Sequence, residues 1–400
     1  MDAQVLRSWW ATRQGLPMGM PGARPADVLA KSGWSRSVGG ANPYLTLLAR
    51  AGTSREEADR AVADLQIHEL PSARGCTYVV PQEDFALALK VSQGFGDAGD
   101  IQVAKKYLGV TDDELEHLEE RTLDVLSKGP KDPTALRNEL GDAVRNLGPE
   151  GKKRGQTTTL PLILGRLQTR GEIRRVPVNG RIDQQRYAYT RWENNPLAGF
   201  DLSTEEAYTE MARRYFRWTG PASVQHFQWF SALGVKGSKS ALEPLGLVPI
   251  EPGSDLLMFP DELDALHAHR VPSEPQYSLI SALDGIFLHR RDVASFLEEA
   301  DKDRKLPGEK GLIRARDLQD LNNHAIVDRG RIVGLWEYEQ PTESIVWLGF
   351  VEPSEALRAE VARVEAYVRD QLGDCRSFSL DSPASRQKTI DMLRAGGAGR

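Results

Sequence analysis

The alternation of apolar and polar positions along the chain is its strongest local signal. "STEEAYTEMARRYFRW" places Ala207, Met211 and Tyr215 on one helical face, behind a capping box of Ser203 and Glu206. "TSREEADRAVADLQ" (53–66) opens the same way with Ser54 and Glu57, and "TDDELEHLEERTLDVL" with Thr111 and Glu114. "DPTALRNEL" predicts a helix with Asp132 as N-cap and Pro133 in the first position. "NPYLTLLARAG" (42–52) is a compact apolar helix, and "TTTLPLILGRLQTR" is another that stops at Gly171.

The β-prone runs fall between these helices. "RGCTYVVP" (74–81) reads as a strand. "EIRRVPVNGRIDQQRYAYTRW" holds two such runs around Asn179-Gly180, a strong short hairpin signal, and "LVPIEPGSDLLMFP" can form a second hairpin. "NHAIVDRGRIVGLWEYEQPTESIVWLGF" reads as an antiparallel meander with turns at Arg329-Gly330 and Gln340-Pro341. An amphipathic helix over residues 353–372 covers it, and the tail "RAGGAGR" reads as frayed.

Helices followed by a short β segment therefore recur three times, over residues 1–95, 96–195 and 196–270. That is the element order of a winged helix-turn-helix, in which the third helix is the usual groove reader. Residues 271–400 form a closing β domain with a covering helix. The expected fold class is mainly α with β: tandem winged helix-turn-helix units and a C-terminal antiparallel β domain.

Composition narrows the function classes. A chain of 400 residues accommodates two to four domains of roughly 100–150 residues. It has no apolar run long enough to span a membrane, and its first residues lack the pattern of a signal peptide, so a cytoplasmic protein is expected. Cys76 and Cys375 lack metal-ligand spacing, so no metal is expected. No Walker-type loop or dinucleotide fingerprint is present, so no cofactor is expected. The net charge of −6 excludes a uniformly basic coat but leaves room for a local stripe.

Such a stripe lies between Lys152 and Arg175, which hold seven Lys or Arg and one Glu. Lys152, Lys153 and Arg154 precede the third helix of the second unit. Arg166 and Arg170 share a face of that helix, and Arg174 and Arg175 begin the hairpin. Thr157, Thr158 and Thr159 lie at the helix start, where hydroxyls and free N–H groups can bind phosphate. Leu160, Ile163, Leu164 and Leu167 face the core. The positive charge thus falls where a winged helix touches DNA; the competing reading is a solvated charged face.

Three stretches in this order, "VGGANPYLTLLARAG", "GPASVQHFQWFSALG" and "LISALDGIFLHRRD", resemble the winged-helix DNA glycosylases of the AlkZ and YcaQ type. "DRGRIVGLWEYE" looks like that family's C-terminal β segment, and the resemblance spans roughly residues 5–345. It implies three winged helices and a barrel-like β domain around double-stranded DNA, and excision of an alkylated or crosslinked base. The family's catalytic signature, a glutamine, an apolar residue and then glutamine or aspartate, is missing: no Gln, Asp or Glu lies between Lys31 and Leu45. Depending on alignment, the signature falls on Ser32-Gly33-Trp34 or Gly40-Ala41-Asn42.

Asn42 could orient a water, or serve as the N-cap before Pro43. Asp284 could act on a water or hold His289 or Arg290, or form a structural salt bridge. Arg36 and Ser37 could bind phosphate beside Gly39 and Gly40, which permit positive φ or close backbone approach; a flexible loop is the competing reading. Trp9, Trp10 and Trp34 could stack on a displaced base or fill the core. Gln225 and Gln228 share a helix face that could touch DNA or simply face solvent, and His226 could be a catalyst or a satisfied surface or core histidine. Three functions follow: a glycosylase with altered residues, a non-enzymatic DNA-binding protein (lesion sensor or transcriptional regulator), or a protein-interaction scaffold. Double-stranded DNA, damaged or not, is the expected partner, with no membrane and a monomer favoured.

Overall fold

The computed structural model describes residues 1–95, 97–308 and 311–397. Asp2 caps the first helix, α1 (Ala3–Arg13), by accepting from the Gln4 amide. There follow α2 (Pro25–Ser32), β1 (Ser35–Arg36), α3 (Asn42–Ala51), α4 (Arg55–Ala63), β2 (Ile67–Pro71) and β3 (Thr77–Pro81). These strands form an antiparallel sheet in the order β1-β3-β2. Helices α5 (Phe85–Ser92) and α6 (Asp97–Leu108) lead to a second run: α7 (Asp112–Ser127), α8 (Pro133–Leu140), α9 (Gly148–Lys153), α10 (Leu160–Thr169), β4 (Ile173–Pro177) and β5 (Tyr187–Arg191). A third comprises α11 (Thr204–Thr219), α12 (Val224–Ser231), α13 (Val235–Leu242), β6 (Val248–Pro249) and β7 (Leu257–Met258), and ends on α14 (Pro260–Ala268).

The three runs share a detail that periodicity did not reveal. A short extended segment after α2, α7 and α11 pairs with the last strand of each run: β1 on β3, a bridge at Lys131 on Tyr189, and a bridge at Ala222 on Leu257. The capping boxes form at Ser54/Glu57 and Ser203/Glu206, and Asp132 caps α8. At Thr111 the hydroxyl accepts from the Glu114 amide.

The closing region contains β8 (Tyr277–Ile280), α15 (Gly285–Leu288), β9 (Lys305–Gly308), β10 (Gly311–Arg314), β11 (His324–Asp328), β12 (Arg331–Glu339), β13 (Ser344–Gly349), α16 (Glu355–Tyr367) and α17 (Pro383–Gly397). The meander forms as expected, but not as a barrel. Its sheet is open, in the order β13-β12-β11-β8, with β9 and β10 paired separately. Both faces are apolar and both are covered. Ile326, Val333, Trp336 and Tyr338 pack toward α3 and α16, whereas Ala325, Val327, Ile332 and Leu335 pack with Trp10, Phe296 and Leu393. A sheet sandwiched between helices leaves no interior for closure. The expected fraying does not begin at Arg394, because α17 continues to Gly397; the last three residues lie outside the described ones.

The cores show how the runs attach. The second run packs around its own cluster, from Ala104 to Tyr189. The first and third share a cluster in which Trp34, fully buried, lies 5.4 Å from Trp218 and 6.3 Å from Tyr78, ring centre to ring centre. Trp34 donates to Asp84 at 2.7 Å, and Trp9 and Trp10 donate to the Gly220 and Pro221 carbonyls. Trp34 and Trp10 are therefore core residues, and Trp9 is anchored beside them.

One ion pair crosses the molecule. Arg50 of α3 makes a bidentate contact with Asp284, both bonds 2.8 Å, and neither side chain is more than 1% exposed. Asp284 also caps α15 through the Ile286 amide. The structural reading of Asp284 thus holds, but its partner is Arg50 rather than His289 or Arg290. His289 instead donates to the Trp34 carbonyl at 3.1 Å, and it fills the space that a Cβ on Gly33 or Gly285 would need, 2.8 Å from either.

Removing one partner of a buried pair strands the other charge. Asp284→Ala should therefore cost about 3–5 kcal/mol, and the double change Arg50→Met with Asp284→Leu should cost less than either single change. Urea denaturation measures both, and a single-variant loss under about 1 kcal/mol would contradict the assignment.

His289 and His324 fold as neutral rings, with pKa values pushed down by burial to about 4 each. The Nδ1 of His324 accepts from the Ala282 amide and its Nε2 faces the Cys375 carbonyl at 3.3 Å. As pH falls below about 6.5 the unfolded chain takes up protons that the folded chain refuses. The stability these two rings contribute should therefore fall toward pH 4, so the gap in urea midpoint between the unmodified chain and His324→Asn should shrink from pH 7 to pH 4; a gap that widens would refute this.

Candidate functional site

The sequence between α2 and α3 builds one wall of a cleft. Strand β1 is only two residues long and lies between Gly33 and the Gly39-Gly40 pair. Gly39 has φ +70°, and a Cβ there would stand 2.4 Å from the side chain of Gln185. A Cβ on Gly40 would stand 2.1 Å from the Ser377 carbonyl oxygen. The loop is a tight junction between three chain segments rather than a flexible connector, sealed by Ala41 donating to the Arg376 carbonyl and Ser379 to that of Val38.

The opposite wall is the β4–β5 connection. Asn179-Gly180 does not make a two-residue turn: β4 ends at Pro177 and β5 starts at Tyr187. The added residues carry Ile182 into the core beneath α3, where its amide donates to the Tyr44 hydroxyl. Burial of Ile182 outweighs the local turn preference, and residues 181–186 are thereby held across from β1.

A cavity of about 300 Å³ lies between these walls. Arg36, Ser37, Glu69, Thr77, Arg175 and Arg186 are among its lining residues. A second cavity of about 500 Å³ shares Arg181, Gln184, Gln185 and Arg186 with it and is bounded by Asp374, Arg376 and Ser379. Arg36 donates to the Thr77 carbonyl and lies over the Tyr78 ring; Arg175 lies 4.5 Å from the centre of the Tyr187 ring. Neither these two nor Arg186 has a carboxylate within salt-bridge distance among the described residues. Ser37 is buried and donates to Glu69.

The basic stretch does not form a single stripe. Arg166 and Arg170 both pair with the buried carboxylate of Glu119, Arg170 at 3.2 Å, so one of their two charges is offset internally. Arg174 and Arg175 point to opposite sides of β4: Arg174 lies over Trp192, and Arg175 lines the cleft. Lys152, Lys153 and Arg154 sit at the end of α9, exposed, with Lys153 on Glu150 and Arg154 4.2 Å from the Tyr107 ring centre. Thr157 is exposed and its carbonyl accepts from Leu147, while Thr158 and Thr159 are buried against residues 145–146.

Asn42 is not the cap of α3. Ala41 holds that position without a side-chain cap, and the Asn42 amide turns back to donate to the Arg36 carbonyl at 2.7 Å and to Ser35 at 3.1 Å. It braces β1 from behind. His226 closes the start of α12 by accepting from the Ser223 amide; Gln225 is exposed and Gln228 half-buried. The structure thus gathers Arg36, Ser37 and Arg175 into one site, and separates them from Asn42, Asp284, Arg166 and Arg170. Glu69 and Arg186 were missed. Their only sequence signal was position: Glu69 on a short β-prone run before a turn, and Arg186 entering β5.

Among the described residues no helix is long and apolar enough to cross a membrane, and no group of three or more His, Cys, Asp or Glu is placed to hold a metal ion. No match is found among curated proteins. Among solved structures, the Streptomyces sahachiroi DNA glycosylase AlkZ is similar, with a TM-score of 0.66 at 18% identity, over 92% of this chain and 97% of that one. At that identity the likeness concerns the fold. The family model described as DNA glycosylase AlkZ-like matches residues 35–375, and with that span covering most of its length the chain belongs to the AlkZ-like DNA glycosylase family.

Proposed function

We propose that the protein is a DNA-repair protein whose three helical runs act as winged helices, holding duplex DNA so that a displaced nucleotide enters the cleft between β1 and the β4–β5 connection. The observation that carries this reading is the charge of that cleft. In a chain of net charge −6, Arg36, Arg175 and Arg186 converge on one concavity without ion-pair partners among the described residues. Guanidinium groups in a concave site suit phosphate, and a cavity of about 300 Å³ is large enough for a base. Arg166 and Arg170, being offset by Glu119, contribute less than their position in the sequence implies.

A second reading, a lesion sensor or regulator that binds without releasing a base, is favoured by one observation. Asn42 and Asp284 are both committed to internal contacts and face neither cavity. Preference for damaged over intact duplex separates a sensor from a regulator, which would instead prefer a sequence.

Titration of a labelled duplex by fluorescence anisotropy across salt concentrations tests the binding site. The double change Arg175→Ala with Arg186→Ala should weaken binding about tenfold or more and reduce the salt slope by about 2, whereas Arg170→Ala should leave the slope nearly unchanged. Absence of duplex binding by the unmodified protein at low salt, or equal effects of both variants, would overturn this placement of DNA.

A further inference from the structure

The cleft contains one carboxyl group with no structural partner sufficient to explain its position. Glu69 stands on β2, opposite Val79 of β3, and lines both the cavity described above and a smaller one of about 140 Å³. The two cavities share Glu69, Gly75, Thr77 and Arg175, so the carboxyl lies on the partition between them. One of its oxygens accepts from Ser37. The other has no hydrogen-bond partner among the described residues and is not sealed from solvent, which leaves it open to the cleft. A half-buried acid with a free oxygen in a basic concavity is an unusual expense of desolvation for a purely structural residue.

The groups facing it define what it can do. From β1, the β2–β3 turn and the β4–β5 hairpin come Arg36, Cys76, Arg175, Arg181, Arg186 and Tyr187. None of these is a carboxylic acid that could protonate a departing base. Burial raises the pKa of Glu69, opposed by the Ser37 hydrogen bond and the charge of Arg175. That environment suits a group that works as a base.

We propose that Glu69 is the catalytic carboxylate of a base-excision reaction in this cleft, taking the place of the absent amide signature by orienting and deprotonating the attacking water. The inference rests on the DNA-binding reading of the same cleft. In the step, the bond between C1′ and the base nitrogen breaks and its electron pair leaves with the base. A bond forms between C1′ and the water oxygen, and the water proton passes to the free oxygen of Glu69. The carboxylate also faces the positive charge that develops on the sugar. With no acid opposite, the reaction is confined to bases that already carry a positive charge and depart neutral, as an N7-alkylated purine does. Arg36, Arg175 and Arg186 hold flanking phosphates.

The test uses the full chain, in excess over a duplex bearing a single N7-methylguanine, and reads alkali-labile strand breakage against a protein-free control. The unmodified protein should release the base, and Glu69→Gln, which keeps the size of the side chain, should slow release about 100-fold or more with duplex affinity no weaker than that of the unmodified protein. The rate should climb as pH rises through the carboxyl's raised pKa and then level off. Glu69→Asp, which keeps the charge on a shorter stem, should retain measurable release, and serves as the second variant if the Gln form loses its thermal transition. Release by Glu69→Gln within about threefold of the unmodified rate overturns the assignment. So does release by the unmodified protein no faster than the control; in that case, duplex binding measured in parallel would leave the DNA-binding reading standing. Absence of both binding and release would remove both.

Discussion

The buried pair between Arg50 and Asp284 is the constraint on which the geometry of the cleft depends. Two charges taken fully out of water are tolerable only when each satisfies the other, and here both guanidinium nitrogens meet both carboxylate oxygens at 2.8 Å. The pair fixes α3 against α15 across 234 residues of sequence. Asp284 starts α15, α15 presents His289, and His289 receives close contact from Gly33 and binds the Trp34 carbonyl. Trp34 leads directly into β1. The placement of the first cleft wall thus follows from a contact made on the far side of the core.

The cleft itself is a product of close backbone approach. Gly39 and Gly40 let the β1–α3 loop touch Gln185 and Ser377, so the hairpin of the second run and the chain beyond α16 converge on the first sheet. Ile182 holds that hairpin by burying itself beneath α3. The result is a concavity in which Arg36, Arg175 and Arg186 have no ion-pair partner among the described residues, while Asp183 pairs with Arg181 and Asp374 with Arg386. Local charge, rather than net charge, makes an acidic chain suited to a polyanion.

Elements with chemical punctuation were legible in the sequence. Ser54 with Glu57, Ser203 with Glu206 and Asp132 with Pro133 mark helix starts because the capping chemistry is local, and the meander of β11 to β13 announces itself through β-branched runs and turns. What depends on distant partners was not. Arg166 looks like a phosphate ligand until Glu119, 47 residues earlier, is brought beside it. Asn179-Gly180 looks like a tight turn until Ile182 finds a core that the local sequence does not contain. Asn42 looks like a cap until β1 forms behind it. Glu69 carries no motif at all, and only its position between two cavities distinguishes it from any other strand carboxylate.

The lining of the cleft comes from residues near 36–39, 69–77 and 175–187, drawn from two different runs of the chain. Contacts so distant in sequence carry a large loop-closure cost and form late in folding, whereas the second run has a core of its own and can organise from local contacts. The cleft would therefore be completed only when the hairpin of the second run docks on the first sheet.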